Sequence, residues 1–180
     1  ACGPALRPLG VWLVALGLPS LALSVLPFTQ ATLLLLPAGV FLGLFAMVLG
    51  VFHAPTRRAF DALDDGQIRT LLGYRAIFGA FLVAGAALEL FPPVFAWTAG
   101  LGDLLVAWLA HVAPGSLARG GSRRWRVLVH GAGLLDLVEV VVMAMTVVRP
   151  WLAEQGGLGP PMILPWIGVP LMLALNLHGL

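Results

Sequence analysis

Five ionisable residues stand inside long apolar runs of this sequence: Arg75, Glu89, Asp103, Asp136 and Glu139. A charge in the middle of an apolar phase costs at least about 2.5–3.5 kcal/mol, so such groups must face one another, water or a bound ion. Four carboxylates share these runs with one arginine, and Arg75 can neutralise one of them. The others must stay protonated, meet a cationic histidine, or hold a cation or a file of water. That is the pattern expected of a proton relay, a cation site or a buried acid–base pair; hydrogen bonding between helices by protonated carboxyls is the plainer alternative. Three histidines, His111, His130 and His178, lie near the ends of the same runs. They are candidate haem or metal ligands if two or three converge. No HxxxH, ExxH or HExxH motif supports them, and Asp136-x-x-Glu139 does not match the Glu-x-x-His pattern of carboxylate-bridged dimetal sites.

Helical spacing turns these residues toward common faces. Arg75 and Glu89 are about four turns apart, with Gly79, Leu82 and Ala86 between them on the same side. Gly100, Asp103, Ala107 and Ala110 form one stripe, and Ala132, Asp136, Glu139 and Met143 form another. In each case the polar residue rides on or beside small residues, which let helices approach closely in lipid. Gly100-Leu101-Gly102-Asp103-Leu104 is echoed by Gly133-Leu134-Leu135-Asp136-Leu137. The two aspartates fall at similar depths on sequential helices and are expected to face each other, so Asp103, Asp136, Glu139 and Arg75 make up the expected proton or cation site. Glu89 and Asn176 form a secondary polar set.

The elements that carry these residues follow from composition. The chain has 180 residues, 60% apolar and 10% charged, with a mean hydropathy of +1.00. Soluble domains carry roughly 25% charged residues. A nucleic-acid module, a disulfide scaffold and a disordered tail are excluded by these numbers. There is no lysine, which excludes a retinal Schiff base, a PLP lysine and a P-loop. The single cysteine, Cys2, rules out an internal disulfide or a thiolate cluster.

A spanning helix needs about 20 mostly apolar residues. Six stretches qualify: Leu9–Phe28, Ala31–Phe52, Leu71–Phe91, Val94–Val112, Val127–Val148 and Met162–Leu180. The expected fold is an all-α, polytopic membrane protein, a bundle of six transmembrane helices in one domain. Pro92-Pro93 ends the third span, because proline restricts its predecessor and donates no backbone hydrogen bond. Pro165 and Pro170 interrupt the last span beside Asn176 and His178, and such breaks can line a binding site.

Arginine placement sets the expected orientation. With the N-terminus cytoplasmic, Arg7, Arg57, Arg58, Arg69, Arg119, Arg123, Arg124 and Arg126 fall on the inner side and only Arg149 on the outer. Both termini are then cytoplasmic, in a bacterial-type inner membrane. Arg119, Arg123, Arg124 and Arg126 can contact anionic lipid headgroups. The loop Pro55–Thr70 is expected to form a short surface helix with an Arg57–Asp61 pair. Its Asp61-x-x-Asp64-Asp65-Gly66 run lacks the ligands of a calcium loop, with Leu63 and Leu72 at ligand positions.

Gly100-Leu101-Gly102-Asp103 resembles the Gly-x-Gly-Asp motif of presenilin-type and prepilin-peptidase-type intramembrane aspartyl proteases. The resemblance covers four residues and implies a pair of aspartates that activate water. Here the second aspartate, Asp136, follows the motif rather than precedes it, and no Pro-Ala-Leu motif is present. Four functions are therefore expected, in descending order. The first is binding or conduction of a proton or cation. The second is a haem-, metal- or pigment-bearing redox subunit. The third is a non-catalytic subunit or assembly factor of a larger membrane complex, or a homo-oligomer. The last is intramembrane hydrolysis.

Overall fold

Helix boundaries follow local chemistry. A computed structural model describes residues 52–118, 120–155 and 164–180. The expected spans Leu9–Phe28 and, apart from Phe52, Ala31–Phe52 lie outside the described residues, as does Arg119. The described elements are α1 (Ala54–Asp61), α2 (Asp65–Gly73), α3 (Arg75–Ala87), α4 (Pro93–Val112), α5 (Arg123–Met143), a π-helical turn (Ala144–Val148), α6 (Arg149–Gln155) and α7 (Leu164–Gly179), with no strand among them. Two compact units are distinguished: residues 1–62 with 152–178, and residues 63–151 with 179–180.

In the first unit α1 carries Pro55 in its first turn, where a missing N–H removes no helical hydrogen bond. His53 Nδ1 lies 3.3 Å from the Thr56 hydroxyl. The Phe60 ring stacks on His178 of α7 at a centroid distance of 5.2 Å, and Asp61 Oδ1 lies 3.2 Å from His178 Nε2. Asn176 and His178 are buried. α7 runs without interruption through Pro165 and Pro170, so the expected break in this span is not present.

The second unit is built on three segments long and apolar enough to cross a membrane: Asp65–Ala87, Pro93–Val112 and Arg123–Trp151, of 23, 20 and 29 residues. Twenty residues at 1.5 Å rise per residue match a hydrocarbon core of about 30 Å. The first segment joins α2 and α3 across Tyr74, whose carbonyl accepts from Ile77 in a tightened i→i+3 turn. Asp64 opens α2 with a reciprocal cap: Gln67 N–H donates to Asp64 Oδ1 at 2.8 Å, and Asp64 N–H donates to Gln67 Oε1 at 3.0 Å. This cap carries the helix six residues ahead of the expected start at Leu71. The third segment likewise begins at Arg123 rather than Val127 and continues through the π-helical turn.

Polarity is inverted relative to a water-soluble bundle. On α4 the exposed residues include Val94, Trp97, Leu101, Leu105, Trp108 and Val112, at three- and four-residue spacing. Its buried positions include the small residues Ala96, Ala99, Gly100, Ala107 and Ala110. Large apolar side chains thus face out and small ones face the neighbouring helices, as an apolar solvent requires. α3 and α4 are antiparallel and touch backbone to backbone. A Cβ on Gly79 would lie 2.6 Å from the Gly100 carbonyl oxygen, and one on Gly100 would lie 2.9 Å from that of Gly79.

α3 ends at Ala87, and Glu89 lies beyond it. Leu90 N–H donates to Gly85 O at 2.8 Å and Glu89 N–H to Ala86 O at 3.2 Å, the paired bonds of a Schellman cap. Glu89 occupies the left-handed position at φ 57° and is exposed. The expectation that Glu89 shares an interior face with Arg75 is therefore corrected. Helical periodicity does not carry through Glu89, because the cap turns this residue out of the helix ahead of Pro92-Pro93. A side chain costs about 1–2 kcal/mol in this conformation. Glu89→Gly is expected to raise stability by about 1 kcal/mol and Glu89→Val to lower it, read as opposite shifts of thermal unfolding in detergent.

Candidate functional site

The first residue of α3 is the centre of the second unit. Arg75 is 2% exposed. Its Nε donates to Asp103 Oδ1 of α4 at 2.7 Å, and its Nη2 donates to Asp136 Oδ2 of α5. Nη1 lies 3.4 Å from the Gly133 carbonyl, one turn before Asp136. Each of the three residues sits near the middle of its own candidate span. One planar cation thus joins three helices, and the forked donor geometry of arginine permits it.

Asp136 is 9% exposed, and its second oxygen, Oδ1, is buried without a hydrogen-bond partner among the described residues. Gly102, beside Asp103 on α4, packs against that oxygen; a Cβ there would overlap it. The close crossing at Gly79 and Gly100 brings Asp103 within reach of Arg75, and Gly102 makes room for Asp136. Two carboxyl groups meet one guanidinium, which can balance a single negative charge. Glu139, three residues further along α5, is half-buried and makes no ion pair among the described residues.

The remaining expected site residues fall elsewhere. His111 is exposed on the last turn of α4, with Nδ1 2.8 Å from the Ala107 carbonyl of its own helix. His130 is 1% exposed on α5. His178 and Asn176 belong to the first unit, and Asp61 pairs there with His178. No group of three or more His, Cys, Asp and Glu side chains able to hold a metal occurs among the described residues. Arg123 and Arg124 are exposed and Arg126 is half-buried, at the start of α5.

In the sequence Arg69 stands out only as one of the arginines that set orientation. In the structure its guanidinium caps the far end of α4. Nη1 donates to the carbonyls of Ala110 and His111, and Nη2 to those of Ala113 and Gly115. Asp65 holds Nε at 2.7 Å and accepts from the Leu117 backbone N–H with its other oxygen. A cation on the last carbonyls of a helix satisfies orphan acceptors and complements the helix dipole. The Asp65-x-x-x-Arg69 spacing was the only hint of this clamp in the sequence, and it shows an i,i+4 pair but not the carbonyls that pair meets.

Two outcomes follow for variants. Arg69→Met strands several carbonyls and the Asp65 carboxylate, with an expected loss of about 2–3 kcal/mol in detergent unfolding. Arg75→Met leaves Asp103 and Asp136 without their shared cation, with an expected loss of about 3–5 kcal/mol or failure to fold. Adding Asp103→Asn and Asp136→Asn to Arg75→Met removes the unpaired charges, and recovery of folded, monodisperse protein in that triple variant checks the electrostatic origin of the defect.

No match was found among curated proteins or among solved structures. A family match covers residues 29–180, which include every residue of the Arg75 site and of the Arg69 clamp. On that match the chain belongs to the family described as Domain of unknown function (DUF8737).

Proposed function

We propose that this protein is a small multi-spanning membrane protein that binds or conducts a proton or cation through the interior around Arg75, Asp103, Asp136 and Glu139. The full arrangement in this reading is six spans in a bacterial-type inner membrane with both termini cytoplasmic. Arg123, Arg124 and Arg126 then meet lipid headgroups at the cytoplasmic face. One observation carries the reading. One buried arginine is shared by two aspartates near the middle of three candidate spans, and one aspartate oxygen has no hydrogen-bond partner among the described residues. Ionisable groups at that depth mark ion pathways and proton relays when they are not fully neutralised. In this mechanism Arg75 keeps Asp103 ionised, and Asp136 is the exchangeable position.

Aspartyl hydrolysis has less support. It needs two carboxyls on one shared water, and here the Arg75 guanidinium bridges them. Reconstitution in vesicles with an entrapped pH dye and an imposed membrane potential tests the proposal. Wild-type protein is expected to give a pH- or cation-dependent flux, and Asp136→Asn to abolish it. Asp103→Asn is expected to reduce it at least tenfold. If both variants retain wild-type flux, ion binding and pH response, the cluster only braces the helices.

A further inference from the structure

We propose that the species held at this site is a proton rather than a metal ion, and that it resides on Oδ1 of Asp136, walled in by Gly102. This rests on the proposed function and narrows its cargo. The two oxygens of Asp136 have different surroundings. Oδ2 takes the Arg75 Nη2 donor, whereas Oδ1 is buried and accepts nothing among the described residues. The backbone of Gly102 lies against Oδ1.

A metal ion fits this geometry poorly. Calcium takes six to eight oxygen ligands and magnesium demands six in octahedral array. No suitable group of three or more ligating side chains occurs among the described residues. The position between the two aspartates, where a cation would gain most, is already held by the Arg75 guanidinium. A second cation there would meet a fixed like charge.

A proton needs no coordination shell. It forms one O–H bond on Oδ1 and leaves Oδ2 free to accept from Arg75. Asp136 is then neutral, Asp103 remains the counter-ion of Arg75, and the three residues sum to zero charge. Among the described residues, the charged groups that bear on this balance are Arg75 from α3, Asp103 from α4 and Glu139 from α5 itself. Gly102 acts as a positioning residue, because only a position without a Cβ lets Oδ1 seat there.

Infrared spectroscopy of the full chain tests this. The protein is purified in an alkyl maltoside, which has no ester carbonyl, with and without carbon-13 at the aspartate carboxyls. The expected result at neutral pH is a carboxylic-acid C=O band that shifts with the aspartate label and with deuterium oxide. It disappears in Asp136→Asn and is unmoved by sodium, potassium, magnesium or calcium. Should Asp136→Asn fail to fold, the label shift in wild type decides, and absence of a protonated aspartate band overturns the proposal. A band lost in Glu139→Gln but kept in Asp136→Asn also overturns it, by moving the proton to Glu139. Saturable metal binding that displaces the band overturns the proton while leaving a cation site in place. An intact Asp136 band beside unchanged flux in the Asn variants removes the transport reading alone.

Discussion

The sharing of Arg75 between Asp103 and Asp136 is the constraint on which the second unit turns. The guanidinium is almost wholly buried, and its counter-ions come from two other helices, 28 and 61 residues further along the chain. In an apolar surrounding there is no hydrophobic force to draw helices together. Close packing and a few polar contacts must do so. A planar fork with donors along two edges can serve two carboxylates at once, where the point charge of a lysine could not hold both in fixed directions. The pairing fixes rotation as well as proximity, since turning any of the three helices by one residue would carry a charge toward the outer face.

Such pairing needs backbones closer than side chains normally allow. Gly79 and Gly100 supply the contact between α3 and α4, and Gly102 supplies the seat for Asp136. The outward stripe of tryptophan, leucine and valine on α4 is the complement of that inner seam. Arg69 does a different task with the same side chain. Arg75 meets carboxylates in mid-bundle, and Arg69 meets four carbonyls at the end of α4. One interaction sets how the helices register. The other ties the α4–α5 connection to α2 through Asp65 and Leu117.

Parts of this were legible in the residues. The Gly-x-x-Asp echo at Gly100–Asp103 and Gly133–Asp136 placed two acids on small-residue faces, and Arg75 was the one basic residue inside an apolar run. Glu89 was misplaced because periodicity alone does not register where a helix stops. The stop is a backbone event, with a left-handed residue and two crossing hydrogen bonds before Pro92-Pro93. Arg69 was read as a loop charge because its partners are carbonyl oxygens, which every residue carries and no side-chain pattern displays. The prolines of α7 predicted a break, yet the helix continues through Pro170. Proline can be tolerated in an apolar helix whose freed carbonyl finds another partner.

By itself the sequence determined the inverted chemistry of the chain: apolar lengths sufficient to cross a bilayer, and more carboxylates than arginines within the apolar runs. Those follow from residue counts and order, because hydration cost is a property of each side chain. The tertiary structure decided which acids share the arginine, and which oxygen has no partner among the described residues. That choice depends on where separate helices touch, to within an ångström at Gly102, and contact across space is not written in the spacing of residues along any one helix.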